Sequence, residues 1–192
     1  MSAEGEQQTC QAAARLARLS DLEGMEPFDL VVSSDLLRAR RTAILLAEAL
    51  DLAAPITVEP DLREYDVGEW SGYTAEEIDA RWPGDIAQFR HGDLTPPGAE
   101  TRPQFDARII HAGQRVAGTA AAGGFAGLLV VAHGGVVRSL ARSVGLAEYR
   151  VGHLAGYWGR RTGDRLCPEE RVNLLDADIM PVDDETAIDP AV

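Results

Sequence analysis

The sequence predicts a three-layer α/β/α fold built on a mostly parallel sheet. Two observations carry this. Short apolar runs, "FDLVVSS" at 28–34 and "GLLVVAHGG" at 127–135, read as buried strands, and each is followed by a run with helical spacing. Strands that alternate with helices make βαβ units, whose crossovers cover both faces of the sheet. Composition agrees, since 192 residues with 45% hydrophobic content suit one domain with a sizeable core. Residues 1–175 are read as that domain and 176–192 as a tail.

Taken in order, Glu4 to Leu19 is rich in Ala, Gln, Leu and Arg and is expected as an amphipathic helix. The strand at 28–34 ends in two serines, and Ser34 is placed to cap a helix from Asp35 to Leu50. "ITVEP" at 56–60 is expected as another strand, and "TAEEIDARWPG" at 74–84 as a short helix halted near Pro83. The stretch 84–101 is dense in Gly and Pro and is expected mostly as loop. Phe105 to Ala120 has helical spacing, and so does "VVRSLARSVG" at 136–145, which stops at Gly145. Residues 157–175 are expected as a hairpin turning at Thr162-Gly163-Asp164.

A net charge of −13 argues against nucleic acid and anionic membranes as partners, because both select a basic face. Six acids and no base lie from Asp176 onward, so 176–192 is expected as an acidic, disordered segment. No apolar run approaches the ~18 residues of a membrane span. The N-terminus is acidic and polar where a secretory leader is basic and then apolar, so the cytoplasm is the expected location. Cys10 and Cys167 have no metal-type spacing and are expected as reduced thiols.

Three segments carry chemistry. In "SSDLLRARRTA", 33–43, Arg38 falls in the first turns of a helix whose free N–H groups and positive dipole end favour a phosphate dianion, although taken alone the stretch reads more readily as basic helix surface. Arg40 and Arg41 read as helix surface. In "LREYDVGEWSG", 62–72, Gly68 and Gly72 bracket Trp70 in a compact loop that can hold Glu64 against apolar neighbours as a proton donor, although composition alone reads Glu64 as one of 31 acids on a surface. In "LLVVAHGGVVRSL", 128–140, His133 follows a buried strand and precedes Gly134, whose lack of a side chain lets backbone N–H groups approach a ligand. His111 and His153 have no comparable setting.

These segments, together with "PPGAET" at 96–101 and Phe105 and Arg108 after it, occur in the order and approximate spacing of the histidine phosphatase superfamily, in its phosphoglycerate mutase-like branch. The chain resembles that family over roughly residues 2–145. The resemblance implies a phosphohistidine mechanism without a metal or organic cofactor. A strand-end histidine attacks the phosphoryl group, residues matching Arg38 and His133 hold its oxygens, and the acid matching Glu64 protonates the leaving group. The partner it implies is a small phosphorylated substrate, and it leaves a homodimer open.

The chain also departs from the pattern. The family's "LVRHG" strand precedes a helix that often begins "LSAEGE", whereas this sequence starts "MSAEGE". About thirty residues that would hold the nucleophile and a central strand are therefore expected to lie outside it. The Arg90-His91-Gly92 triplet is no substitute, since it follows the Glu64 motif and has a poor strand before it. A start site further upstream is favoured over a truncated, inactive relative, because removing a central strand leaves backbone groups unpaired. The expected function is a phosphomonoester hydrolase. The alternatives are a non-catalytic phospholigand-binding or regulatory module and a phosphomutase. No motif chooses between sugar, glycerate and nucleotide substrates.

Overall fold

The computed structural model describes residues 2–22, 24–147 and 150–175, so the acidic segment 176–192 lies outside the described residues. The chain opens with helix α1 (Ala3–Leu22) and strand β1 (Phe28–Ser33), followed by α2 (Leu37–Ala49) and the short β2 (Ile56–Val58). After 3-10 turns at Pro60–Leu62 and Gly68–Trp70 come α3 (Ala75–Arg81), α4 (Asp85–His91) and the long α5 (Arg102–Gly123). Strand β3 (Gly127–Val131), α6 (Gly134–Ser143) and the hairpin β4 (Ala155–Thr162) and β5 (Arg165–Asn173) complete it.

The parallel sheet is centred on β1, in the order β2-β1-β3. Because side chains alternate along a strand, β1 serves both faces. Leu30 and Val32 enter a core with Phe105, Ile109 and Val116 of α5 and Val136 of α6. Val31 enters the opposite core with Ala13 of α1 and Ala39, Ala43 and Leu46 of α2. These are the three expected layers, and each fully buried aliphatic side chain contributes about 1.5–3 kcal/mol of transfer free energy.

The hairpin turns where expected but pairs only with itself, as an antiparallel two-stranded sheet packed near α5 and α6. Among the described residues, the second edge of β3 and the second edge of β4 have no strand partner. No helix among the described residues is long and apolar enough to cross a membrane, and both cysteines are free.

Two expectations need correction. The loop expected at 84–101 contains α4, a two-turn helix from Asp85 to His91. Its glycines are punctuation, with Gly84 and Gly92 at the ends in the left-handed region at φ 83° and 84°. Ile86 and Phe89, three apart on one face, anchor α4 to an aromatic cluster around Trp70, Trp82 and Tyr65. Ser34 is not the residue next to α2 either. That helix begins at Leu37 after Leu36, which makes no side-chain cap bond, and the Ser34 hydroxyl accepts the Leu36 N–H at 3.3 Å one step ahead of it.

Candidate active site

Parallel strands β1 and β3 end side by side, with Ser33 in register with Val131. The next residues on each chain therefore meet at the carboxyl edge of the sheet, where open α/β sheets bind their ligands. Ser34, fully buried, and His133, 9% exposed, meet there, with Ser34 Oγ and His133 Nε2 sharing a hydrogen bond of 2.9 Å. The Leu36 N–H also donates to Ser34 Oγ at 3.3 Å, so the same hydroxyl orders the start of α2. His133 has extended backbone and stands at the N-cap position of α6, leaving that helix's first N–H groups facing the same edge.

Glu64 arrives from a different part of the chain. Its Oε2 accepts the N–H of Gly135 at 2.9 Å, and its Oε1 accepts the N–H of Tyr65, also at 2.9 Å. The acid expected against apolar neighbours is thus gripped by two backbone donors, one of them two residues beyond His133. Trp70, expected to order this loop, is buried but belongs to the separate aromatic cluster, 5.5 Å from Phe89 between ring centroids. The loop itself is set by Gly68, whose φ of 57° suits glycine and whose open face lies against the backbone of Pro97, Gly98 and Ala99. The Glu69 N–H donates to Pro97 O at 2.9 Å, joining the Glu64 segment to "PPGAET".

The glycine that the site requires is Gly135. A β-carbon there would overlap Glu64 Oε1 and lie 3.0 Å from its Cδ. At Gly134, the residue expected to matter, an added β-carbon would meet Arg138 Nη1 at 3.4 Å and Val151 at 3.7 Å, distances ordinary packing tolerates.

Arg38 lies in the first turn of α2, half-buried, and its guanidinium makes no hydrogen bond to another described residue. Its neighbours on the helix behave differently. Arg41 pairs with Glu6 of α1 at 2.9 Å, which is the surface role expected of it. At the rim, Arg63 donates to both carboxylate oxygens of Asp35, with Nε to Oδ1 at 3.0 Å. The Arg63 guanidinium holds the Asp35 carboxyl below the ordinary carboxylate range. This pair ties the residue after Ser34 to the residue before Glu64, and no local pattern announced it.

His91 is the exposed last residue of α4, outside this group, and His111 on α5 and His153 are exposed as well. The structure therefore brings Glu64 and His133 together at the turn that begins with Gly134, and adds Ser34 and Gly135, two residues known from the sequence only as a cap and as half of a glycine pair.

This fold and this carboxyl-edge cluster of a histidine, a serine and a carboxylate define a class. The family model described as "Histidine phosphatase superfamily (branch 1)" matches residues 1–154, and the chain belongs to that superfamily. Among similar proteins, a 2,3-bisphosphoglycerate-dependent phosphoglycerate mutase from Methylobacterium radiotolerans is 36% identical over 140 residues, 65% of this chain and 60% of the relative. A glucosyl-3-phosphoglycerate phosphatase from Mycolicibacterium vanbaalenii is 33% identical over 141 residues, 71% of this chain and 59% of its own. Among solved structures, a mycobacterial glucosyl-3-phosphoglycerate phosphatase with VO3 superposes with a TM-score of 0.68 and 26% identity, over 88% of this chain and 84% of that one. The alpha-ribazole phosphatase from Shigella flexneri shares the fold, with a TM-score of 0.69 and 21% identity over 91% and 84% of the two chains. The chain spans about 60% of the length of the curated relatives it matches.

Proposed function

We propose that the chain forms most of a phosphomonoester hydrolase that acts on a small phosphorylated metabolite through a phosphohistidine intermediate. One observation carries the reading: the Glu64 carboxylate is bonded to Gly135 N–H at the turn that bears His133, itself bonded to Ser34. An acid, an imidazole and a helix N-terminus thereby converge on one edge of the sheet. Phosphoryl transfer needs charge neutralisation and positioning more than covalent chemistry from the protein. Arg38, His133 and the N–H groups at Gly134 supply the neutralisation.

In the first step a histidine nitrogen attacks phosphorus in line, the ester P–O bond breaks, and the leaving oxygen takes the Glu64 proton. In the second step water attacks the same phosphorus, Glu64 takes a water proton, and the P–N bond breaks to release phosphate. The attacking group of this reading is the strand-end histidine that the family resemblance implies. Among the described residues one edge of β3 has no strand partner, and an additional strand there would find backbone partners for its N–H and C=O groups. The phosphatases among the relatives favour hydrolysis, and the mutase relative keeps transfer to a second hydroxyl as the competing outcome.

The test is to express the reading frame extended upstream of Met1 and compare it with this chain. The extended product is expected to hydrolyse p-nitrophenyl phosphate and to accumulate acid-labile phosphohistidine when Glu64 is replaced by Gln. A stop codon ahead of Met1, with phosphate still bound and no turnover, would support the phospholigand-binding module. Turnover by this chain alone that survives His91→Ala but not His133→Ala would move the nucleophile to His133 and overturn the reading.

A further inference from the structure

Glu64 is held at its carboxylate by Tyr65 and Gly135, but its main chain is held by something else. Arg108, on the first turns of α5 and partly buried, donates from Nη1 to the carbonyl oxygens of Asp61 at 2.7 Å and Arg63 at 2.9 Å. Its Nη2 donates to Glu64 O at 3.4 Å and to Glu100 Oε1, and its Nε to Glu100 Oε2 at 3.1 Å. A guanidinium has five N–H groups, and these bonds leave none to spare. The guanidinium carbon also lies 5.1 Å from the centroid of the Phe105 ring, which limits its movement.

Glu100 completes the grip. Its Oε1 accepts the Asp66 N–H at 2.9 Å, its own N–H donates to Asp66 O at 3.1 Å, and its carbonyl accepts the Tyr65 hydroxyl at 2.6 Å. Burial pushes the Tyr65 phenol up, so that hydroxyl stays a donor. Both sides of Glu64 are therefore fixed by Arg108 and Glu100, and only its own side-chain torsions remain. Arg115, two turns further along α5, behaves differently. It pairs with the carboxylates of Glu59 and Asp61 and touches no backbone group near Glu64.

We propose that Arg108, locked by Glu100, is a positioning residue that sets the Glu64 carboxylate against the Gly135 N–H and hence beside His133. The proposal rests on Glu64 being the proton donor. The physical reason for an arginine is geometric. Three backbone carbonyls of one short segment facing a single side chain require a planar fork with several donors, and an ammonium, a compact point charge, cannot span them. Misplacing a catalytic carboxylate by about 1 Å costs on the order of a hundredfold in rate, so a clamp on the main chain has a direct chemical consequence.

Nitrogen-15 NMR of this chain tests it without requiring turnover. The Gly135 amide is expected to follow the titration of Glu64, and Glu64→Gln is expected to abolish that response. Arg108→Met and Arg108→Lys are expected to lose most of it while the spectrum stays dispersed. Arg115→Met is expected to lower Tm and keep it. If Arg108→Met does not fold, Arg108→Lys and Glu100→Gln carry the test. In the extended product, Arg108→Lys is expected to lower kcat about tenfold or more with KM within about twofold. A Gly135 response unchanged in Arg108→Lys and Glu100→Gln would overturn the proposal, as would an equal loss in Arg115→Met, which would reduce Arg108 to a stabilising contact. An extended product without hydrolysis, but with the Gly135 response lost in Arg108→Lys, would sink the hydrolase reading and leave the clamp standing.

Discussion

Replacing Gly135 by Ala sets two opposed effects against each other, and the balance depends on where Glu64 sits. Gly135 is buried in the first turn of α6 with no positive φ, so the backbone accepts Ala, which favours a helix over Gly by about 1 kcal/mol. Against this, the added carbon would overlap Glu64 Oε1 and stand 3.0 Å from Cδ and 3.3 Å from Oε2. Carbon contacts settle near 3.5–4.0 Å, so the carboxylate must withdraw by about 1 Å. That stretches the 2.9 Å bond from Gly135 N–H past hydrogen-bonding range. A lost bond to a charged acceptor costs about 1.5–3 kcal/mol, and a helix's first N–H groups have no intrahelical partner to turn to. Gly135→Ala is therefore expected to destabilise the fold by roughly 0.5–2 kcal/mol, a fall of about 1–8 °C in Tm.

In a Glu64→Ala background nothing obstructs the new methyl, and the same substitution is expected to stabilise by a few tenths to about 1 kcal/mol. The assay is urea unfolding of the four chains in a double-mutant cycle, where the change of sign appears as a coupling of about 1.5–3 kcal/mol. Gly135→Ala that stabilises equally in both backgrounds would refute the placement of Glu64 over Gly135, and with it the assembly of the acid beside His133.

Two further predictions follow from the same geometry. Ser34→Ala removes the fully buried partner of His133 Nε2 and the acceptor of Leu36 N–H, so it is expected to cost about 1–3 kcal/mol in a urea titration; an unchanged midpoint would deny that the hydroxyl holds the ring. Hydrogen bonding from Arg115 draws the Glu59 carboxyl below its ordinary 4.5, as Arg63 draws Asp35 below its ordinary 3.8. The stability these pairs contribute is complete above those ordinary values and lost as pH falls through the lower folded-state ones. Unfolding midpoints are thus expected to fall on acidification below about pH 4.5, with a shallower slope in Arg115→Met; an equal slope would mean that the pair contributes nothing.

Much of the architecture was legible because it is local. Apolar runs announced β1 and β3, and helical spacing announced α2, α5 and α6, since a buried strand or an amphipathic helix must show its period in the residues themselves. Helix α4 was missed because glycines at its two ends read as loop, although Ile86 and Phe89 carried the helical spacing. What made it a helix was the aromatic cluster it covers, and Trp70 and Trp82 reach that cluster from other segments. The site divides in the same way. His133 stood out by residue type and setting and Glu64 by the family resemblance, whereas the bond of Ser34 to His133 was invisible because that partner lies 99 residues away.

By itself, then, the sequence determined the layers of this protein and the residue types of its candidate site. It determined them because burial on a pleated strand, turning at glycine and charge at a helix end are written into short stretches. Only the tertiary structure decided which of those residues meet. The parallel pairing of β1 with β3 brings Ser34 to His133, and the Arg108 and Glu100 grip brings Glu64 to Gly135, 71 residues away. Such pairs are selected by the packing of whole elements, which no window along the chain contains, and that packing made Gly135, not Gly134, the glycine that the acid requires.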